Sequence, residues 1–141
     1  MSQNSKLSRH ECRELIFKLL FAREFDKDTD AADFYKNNTE EVEKTIPEYV
    51  PNVFNGVLAS LDELDAEIGA ASVNWKVSRM STAARTILRL AVYEMTVCEV
   101  PPKVEINEAL ELVKLYDEET AVSFVNGILN KIARDRGLIA E

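Results

Sequence analysis

Apolar residues recur along this chain at steps of three and four, the period of one helix face, and nowhere alternate for long enough to predict a strand. The first stripe is Cys12, Leu15, Ile16, Leu19 and Leu20, widened by Phe17 and Phe21 into a helix packed on more than one side. Ahead of it, Ser8-Arg9-His10-Glu11 reads as a capping box, hydroxyl to the Glu11 amide and carboxylate back to the Ser8 amide. Asp26 to Asp30 predicts a charged turn, and Ala31 to Lys44, with few apolar residues (Phe34, Tyr35, Val42), a weaker helix. Pro47 and Pro51 bracket a break. Val53, Val57, Leu61, Leu64 and Ile68 then predict one helix from about Pro51 to Ile68, stopped by Gly69.

Trp75, Val77 and Met80 fall in a connection. Ser81 is placed to cap the next helix, whose stripe of Ile87, Leu88, Ala91, Val92 and Met95 is the cleanest amphipathic signal in the chain. Pro101-Pro102 ends it. Two further helices are predicted, from Lys103 to Tyr116 and from about Glu118 to Arg134. Residues 1–7 are polar and expected to lack fixed structure, with 8–141 forming a single helical domain.

Composition agrees with an all-α fold: glycine and proline total only eight of 141 residues, too few for the turns of a sandwich or barrel. The longest early apolar stretch, Leu15 to Phe21, is interrupted by Lys18 and is too short to span a bilayer. No secretory signal is evident. Cys12 and Cys98 lie far apart in helical patterns and read as free thiols, so a cytoplasmic location is expected.

Charge changes the picture more. The net charge is −8, yet residues 1–23 carry Lys6, Arg9, Arg13, Lys18 and Arg23 against Glu11 and Glu14. That is +3 at the start and −11 over the remainder. A basic beginning on an acidic body points to an anionic partner at that end.

Catalytic chemistry has little to stand on. His10 is the single histidine, so a helical di-iron site needing two Glu-x-x-His motifs cannot form, and Cys12 beside it completes no zinc set. The glycines at 56, 69, 127 and 137 stand alone, with no phosphate-cradling loop and no nucleophile elbow. Glu105, Glu108 and Glu111 recur at helical spacing and read as a solvated acidic face. A binding module without a cofactor is the expectation, not an enzyme.

Four stretches resemble the NusB family. They are Phe17-Lys18-Leu19-Leu20-Phe21-Ala22-Arg23-Glu24-Phe25, Arg85-Thr86-Ile87-Leu88-Arg89-Leu90-Ala91-Val92-Tyr93-Glu94, Pro101-Pro102-Lys103-Val104-Glu105-Ile106-Asn107-Glu108-Ala109, and Phe124-Val125-Asn126-Gly127-Ile128-Leu129. Their order and spacing cover nearly the whole chain. The resemblance implies an all-α fold of two packed helical subdomains. It implies binding of boxA RNA together with the ribosomal protein NusE, within the RNA polymerase antitermination complex on ribosomal RNA operons, and no cofactor.

For RNA, the resemblance implies Lys6, Arg9 and His10 at the basic start, with Phe124 stacking on a base and Asn126 reading a base edge. For NusE it implies Arg89, Tyr93 and Tyr116. Each has a structural alternative. Phe124 shares a face with Ala121 and Ile128 and is equally placed as core. Arg89 either pairs with a carboxylate or lines a partner surface. Asn107-Glu108 reads as bracing the first turn of its own helix. Gly127 inside a helix implies close packing or backbone access to a ligand.

The chain departs from the family pattern where Leu7 and Ser8 interrupt the basic start, and where Ser123 stands in place of a lysine common before F-V-N-G. Fewer cations release fewer counterions, which predicts weaker RNA binding and a shallower salt dependence. The alternative is therefore a NusB-like protein-interaction domain with little RNA affinity of its own. A third reading comes from RNA methyltransferases that carry such a domain; no glycine-rich cofactor loop accompanies it here. An exposed Phe21–Phe25 edge is a candidate surface for a homodimer.

Overall fold

The computed structural model describes residues 5–73 and 76–140, and Trp75 lies outside them. Among the described residues it is all-helical, with seven α-helices: α1 (Arg9–Glu24), α2 (Ala31–Thr39), α3 (Tyr49–Ala59), α4 (Leu61–Ala71), α5 (Thr82–Thr96), α6 (Pro102–Tyr116) and α7 (Ala121–Asp135). A short 3-10 turn, Val77–Arg79, precedes α5. The chain divides into two compact units, residues 1–58 and 59–141.

In the first unit α1 starts at the predicted capping box: Ser8 Oγ accepts from the Glu11 N–H at 3.0 Å and Glu11 Oε1 accepts from the Ser8 N–H at 2.8 Å. Asp30 caps α2 by accepting from the Ala32 and Asp33 amides. The core joins Cys12, Ile16, Phe17, Leu19 and Leu20 of α1 to Phe34 of α2 and Val50, Val53, Phe54 and Val57 of α3. Phe34 stacks on Phe54 with ring centroids 6.0 Å apart. The polar start is not wholly without structure: Leu7 N–H donates to the Thr45 carbonyl and Thr45 N–H to that of Ser5, so residues 5–7 are held by one short parallel bridge.

The predicted helix from Pro51 to Ile68 is two helices. Ser60, with φ −118° and ψ 17°, leaves the helical region and separates α3 from α4. The break falls beside the boundary between the units. Gly69 does not stop α4, which continues to Ala71. A Cβ there would meet Val77 at an ordinary 3.5 Å. The proline at 51 lies in the first turn of α3, where the missing N–H would have no intrahelical partner.

The second unit is organised around α5, which packs against α4, α6 and α7. Ser81 caps it as predicted, accepting from the Ala84 N–H at 3.0 Å. Rather than burying one stripe, α5 is buried nearly all round, from Ala83 and Ala84 to Leu90, Val92, Glu94 and Met95. Pro102 opens α6, its fixed φ suited to a first helical position. The acidic series on α6 is not one solvated face. Glu105 is only 2% exposed, because it lies one turn before Ala109 and two before Leu112 on the inward side; Glu111 faces water. Asn107 and Glu108 also fall past the first turn, where Glu105 is the acidic residue, so the predicted bracing role does not arise.

Candidate functional site

The basic start is smaller as a surface than as a sequence. Of its five cations, Arg13 is buried at 6% exposure. Arg23 turns inward, its Nη1 donating to the carbonyls of Asp26 at 3.0 Å and Thr29 at 2.7 Å, with the guanidinium 5.2 Å from the Phe34 ring centre. Lys6, Arg9 and Lys18 remain exposed, as does His10. Arg9 lies over the Tyr49 ring, 3.7 Å from its centre, a cation–π contact that leaves the guanidinium edge available to an anion. Glu11 accepts from Lys44 Nζ at 2.9 Å, and that bond, then the Ser8 amide, lowers its carboxyl to a pKa of about 2. The sequence shows five charges, and packing decides which of them reach solvent.

On α7, Phe124 and Asn126 do not converge. Two positions apart on a helix they point in nearly opposite directions, and they line different grooves. Phe124 is half-buried and borders two of them. One, of about 400 Å³, is lined by Arg79, Met80, Ser81, Asp117, Glu118, Thr120 and Ala121. Within it Ser81 Oγ donates to Asp117 Oδ2 at 2.8 Å. The other, of about 310 Å³, runs between the end of α4 and α7, past Ala71, Ser72, Val73, Gly127, Ile128, Lys131 and Arg134. Asn126 belongs to a third, of about 290 Å³, with Lys103, Ile106, Asn107 and Asn130. There Asn130 Nδ2 donates to the Asn126 side chain at 3.0 Å and to its carbonyl at 2.9 Å.

Gly127 resolves one of the two alternatives drawn for it. Among the described residues a Cβ at this position would meet nothing within 4 Å, so packing against them does not require the glycine. Its helix-propensity cost, about 1 kcal/mol against alanine, is therefore not offset by packing against the described residues.

Arg89 is 9% exposed and forms a two-point ion pair with Asp65 of α4, Nε to Oδ1 and Nη2 to Oδ2, both at 2.7 Å. The carboxylate-pairing alternative is thus the one the geometry supplies. Arg85 Nη1 likewise donates to the carbonyls of Val77 and Met80, tying down the 3-10 turn. Tyr93 is half-buried on α5, and burial, then Cys98, pushes its hydroxyl pKa up. Tyr116 ends α6 with 37% of its surface exposed. Arg79, Lys131 and Arg134 also line these grooves, and nothing in the sequence pattern marks Arg79. Lys131 and Arg134 were legible as positions seven and ten beyond Phe124, on the same side of α7.

Among the described residues no group of three metal-ligating side chains comes together, and no helix is long and apolar enough to cross a membrane. Among the described residues the chain is all-helical, with shallow grooves lined by both apolar and polar side chains and with exposed cations.

The NusB family model matches residues 10–134. The chain is 39% identical over 130 residues to the transcription antitermination protein NusB of Lachnoclostridium phytofermentans, covering 89% of this chain and 98% of that protein. It is 38% identical to the NusB of Clostridium acetobutylicum, covering 89% and 95%. The structure of T. maritima NusB superposes with a TM-score of 0.82 at 32% identity, over 92% of this chain and 93% of that one. A NusB chain crystallised with NusE and dsRNA superposes at 0.80, with 24% identity over 90% and 96%, a likeness of fold. The chain belongs to the NusB family.

Proposed function

We propose that this chain is a transcription antitermination factor that binds boxA-type RNA together with the ribosomal protein NusE. In the cytoplasm it helps RNA polymerase resist termination on ribosomal RNA operons, and it acts by binding rather than by catalysis. The observation that carries this reading is the family match over residues 10–134, joined to near full-length similarity to relatives named as antitermination proteins. Residues 8–141 act as one functional domain.

In this reading Lys6 and Arg9 hold phosphates, with His10 beside them, because all three are exposed at the start of α1. Phe124 offers a face for an unpaired base and Asn126 an amide for a base edge, each in its own groove. Arg89, Tyr93 and Tyr116 are candidate NusE contacts, with Arg89 held in place by its pair with Asp65. Replacing Lys6 and Arg9 together by alanine is expected to weaken RNA binding across sequences and to flatten its salt dependence. Unchanged affinity would assign the basic start to helix solvation alone.

The burial of Arg13 and the inward turn of Arg23 favour a second reading, a NusB-like protein-interaction domain with little RNA affinity. NusE binding without any salt-sensitive RNA binding would select it.

A further inference from the structure

We propose that the groove between the end of α4 and α7, with Gly127 in its wall, is a track for single-stranded RNA. Phe124 stacks a base at one end, and Lys131 and Arg134 hold the phosphates that follow. The inference rests on the RNA-binding reading above and names the path the strand takes.

Three observations lead to it. Among the described residues the groove's lining holds two cations and no carboxylate, on a chain of net charge −8. The neighbouring groove that also touches Phe124 is lined by Arg79 but carries Asp117 and Glu118, so an anionic strand leaving Phe124 is favoured toward Lys131. Arg134 is exposed, and among the described residues its guanidinium meets no carboxylate. Among the described residues Lys131 is held by an exposed pair with Asp135 at 3.1 Å, the kind that water screens and a phosphate readily replaces.

Gly127 supplies the third observation. It lies between Phe124 and Lys131 on the groove wall, where an added Cβ would meet none of the described residues within 4 Å. A bare backbone here serves an approach from outside, where a Cβ would hold a ribose or phosphate away. Spacing fits the same occupant. Lys131 lies about 10 Å and Arg134 about 15 Å along α7 from Phe124 at the rise of an α-helix. That length suits a short run of nucleotides rather than a single one. The apolar floor of Ala71, Val73 and Ile128 tolerates any base, so the track adds affinity and direction more than sequence choice.

The test is fluorescence anisotropy of a labelled boxA-type RNA over a salt series, with the full chain and NusE present. The variants are Gly127→Ala, the double variant Lys131→Gln with Arg134→Gln, and Arg79→Gln, with melting temperature and NusE binding measured for each. Gly127→Ala is expected to melt no lower than the parent yet bind RNA at least about fivefold more weakly. The double variant is expected to reduce the log–log salt slope by about 1.4, two phosphate contacts on a single strand. NusE binding and the effect of Arg79→Gln are expected to stay near parental values. Parental RNA affinity and slope in the first two variants would overturn the track and leave the antitermination reading standing. An effect confined to Arg79→Gln would move the strand to the other groove, and lost NusE binding with intact RNA binding would assign the groove to protein; either overturns the proposal. A parent chain that binds no RNA overturns both.

Discussion

At Ser8 and Glu11 two reciprocal hydrogen bonds close the first turn of α1, and Lys44 adds a third partner to the same carboxylate. Ser8→Ala is expected to cost about 1 kcal/mol in denaturant unfolding, the usual loss for an N-cap. The Glu11 carboxyl titrates near 2 when folded against 4.5 for the ordinary group. Its contribution to stability is therefore fully present above about pH 5 and is lost as pH falls through 4.5 toward 2. Glu11→Gln keeps a side chain able to cap while removing the charge. Its melting temperature should lie below the parent's at pH 6 and draw level near pH 2; parallel curves would show that the pairing with Lys44 adds nothing. Arg89 belongs to this scale as well. Arg89→Ala leaves Asp65 without its two-point partner, and a loss of about 2–3 kcal/mol is expected, less than for a fully buried pair because the Asp65 side chain keeps 31% of its surface exposed. Loss of NusE binding with unchanged stability would instead place Arg89 directly in the partner contact.

Helix starts were legible in the sequence and helix interiors less so. Ser8 and Ser81 cap where their spacing from the first apolar residues placed them, since a cap depends on four or five adjacent residues. The break at Ser60 was not legible: Val57, Leu61 and Leu64 keep helical spacing across it, and serine alone does not mark a stop. Glu105 was misread for a related reason. A carboxylate on an amphipathic helix defaults to the wet face, and only the packing of α6 against both α5 and α7 turns it inward. The candidate site was legible as residue types and not as places. Phe124 and Asn126 stand two apart in a motif, which says nothing about a shared groove until α7 is set among its neighbours. Gly127 offers a prediction at this scale: Gly127→Ala should raise stability by about 0.5–1 kcal/mol, because the added methyl meets none of the described residues and lowers the helix cost. A fall in stability would mean that the backbone there is strained in a way its surroundings do not explain.

Across the whole molecule, the cations divide between those that serve the fold and those that face water. Two of the five at the start serve the fold of the first unit, and in the second unit Arg85 and Arg89 serve theirs. The other cations face water in whole or in part, and among them we propose that Lys6, Arg9 and the Lys131–Arg134 pair meet an RNA. So few contacts predict modest affinity alone and greater dependence on a partner that brings its own positive surface. The measurement that tests this most directly is anisotropy of labelled boxA-type RNA against a scrambled RNA, with and without NusE, from low to high salt. The account predicts preference for the boxA-type sequence, tightening by NusE, and weakening with salt on a shallow slope. Equal binding of both RNAs under every condition would contradict it.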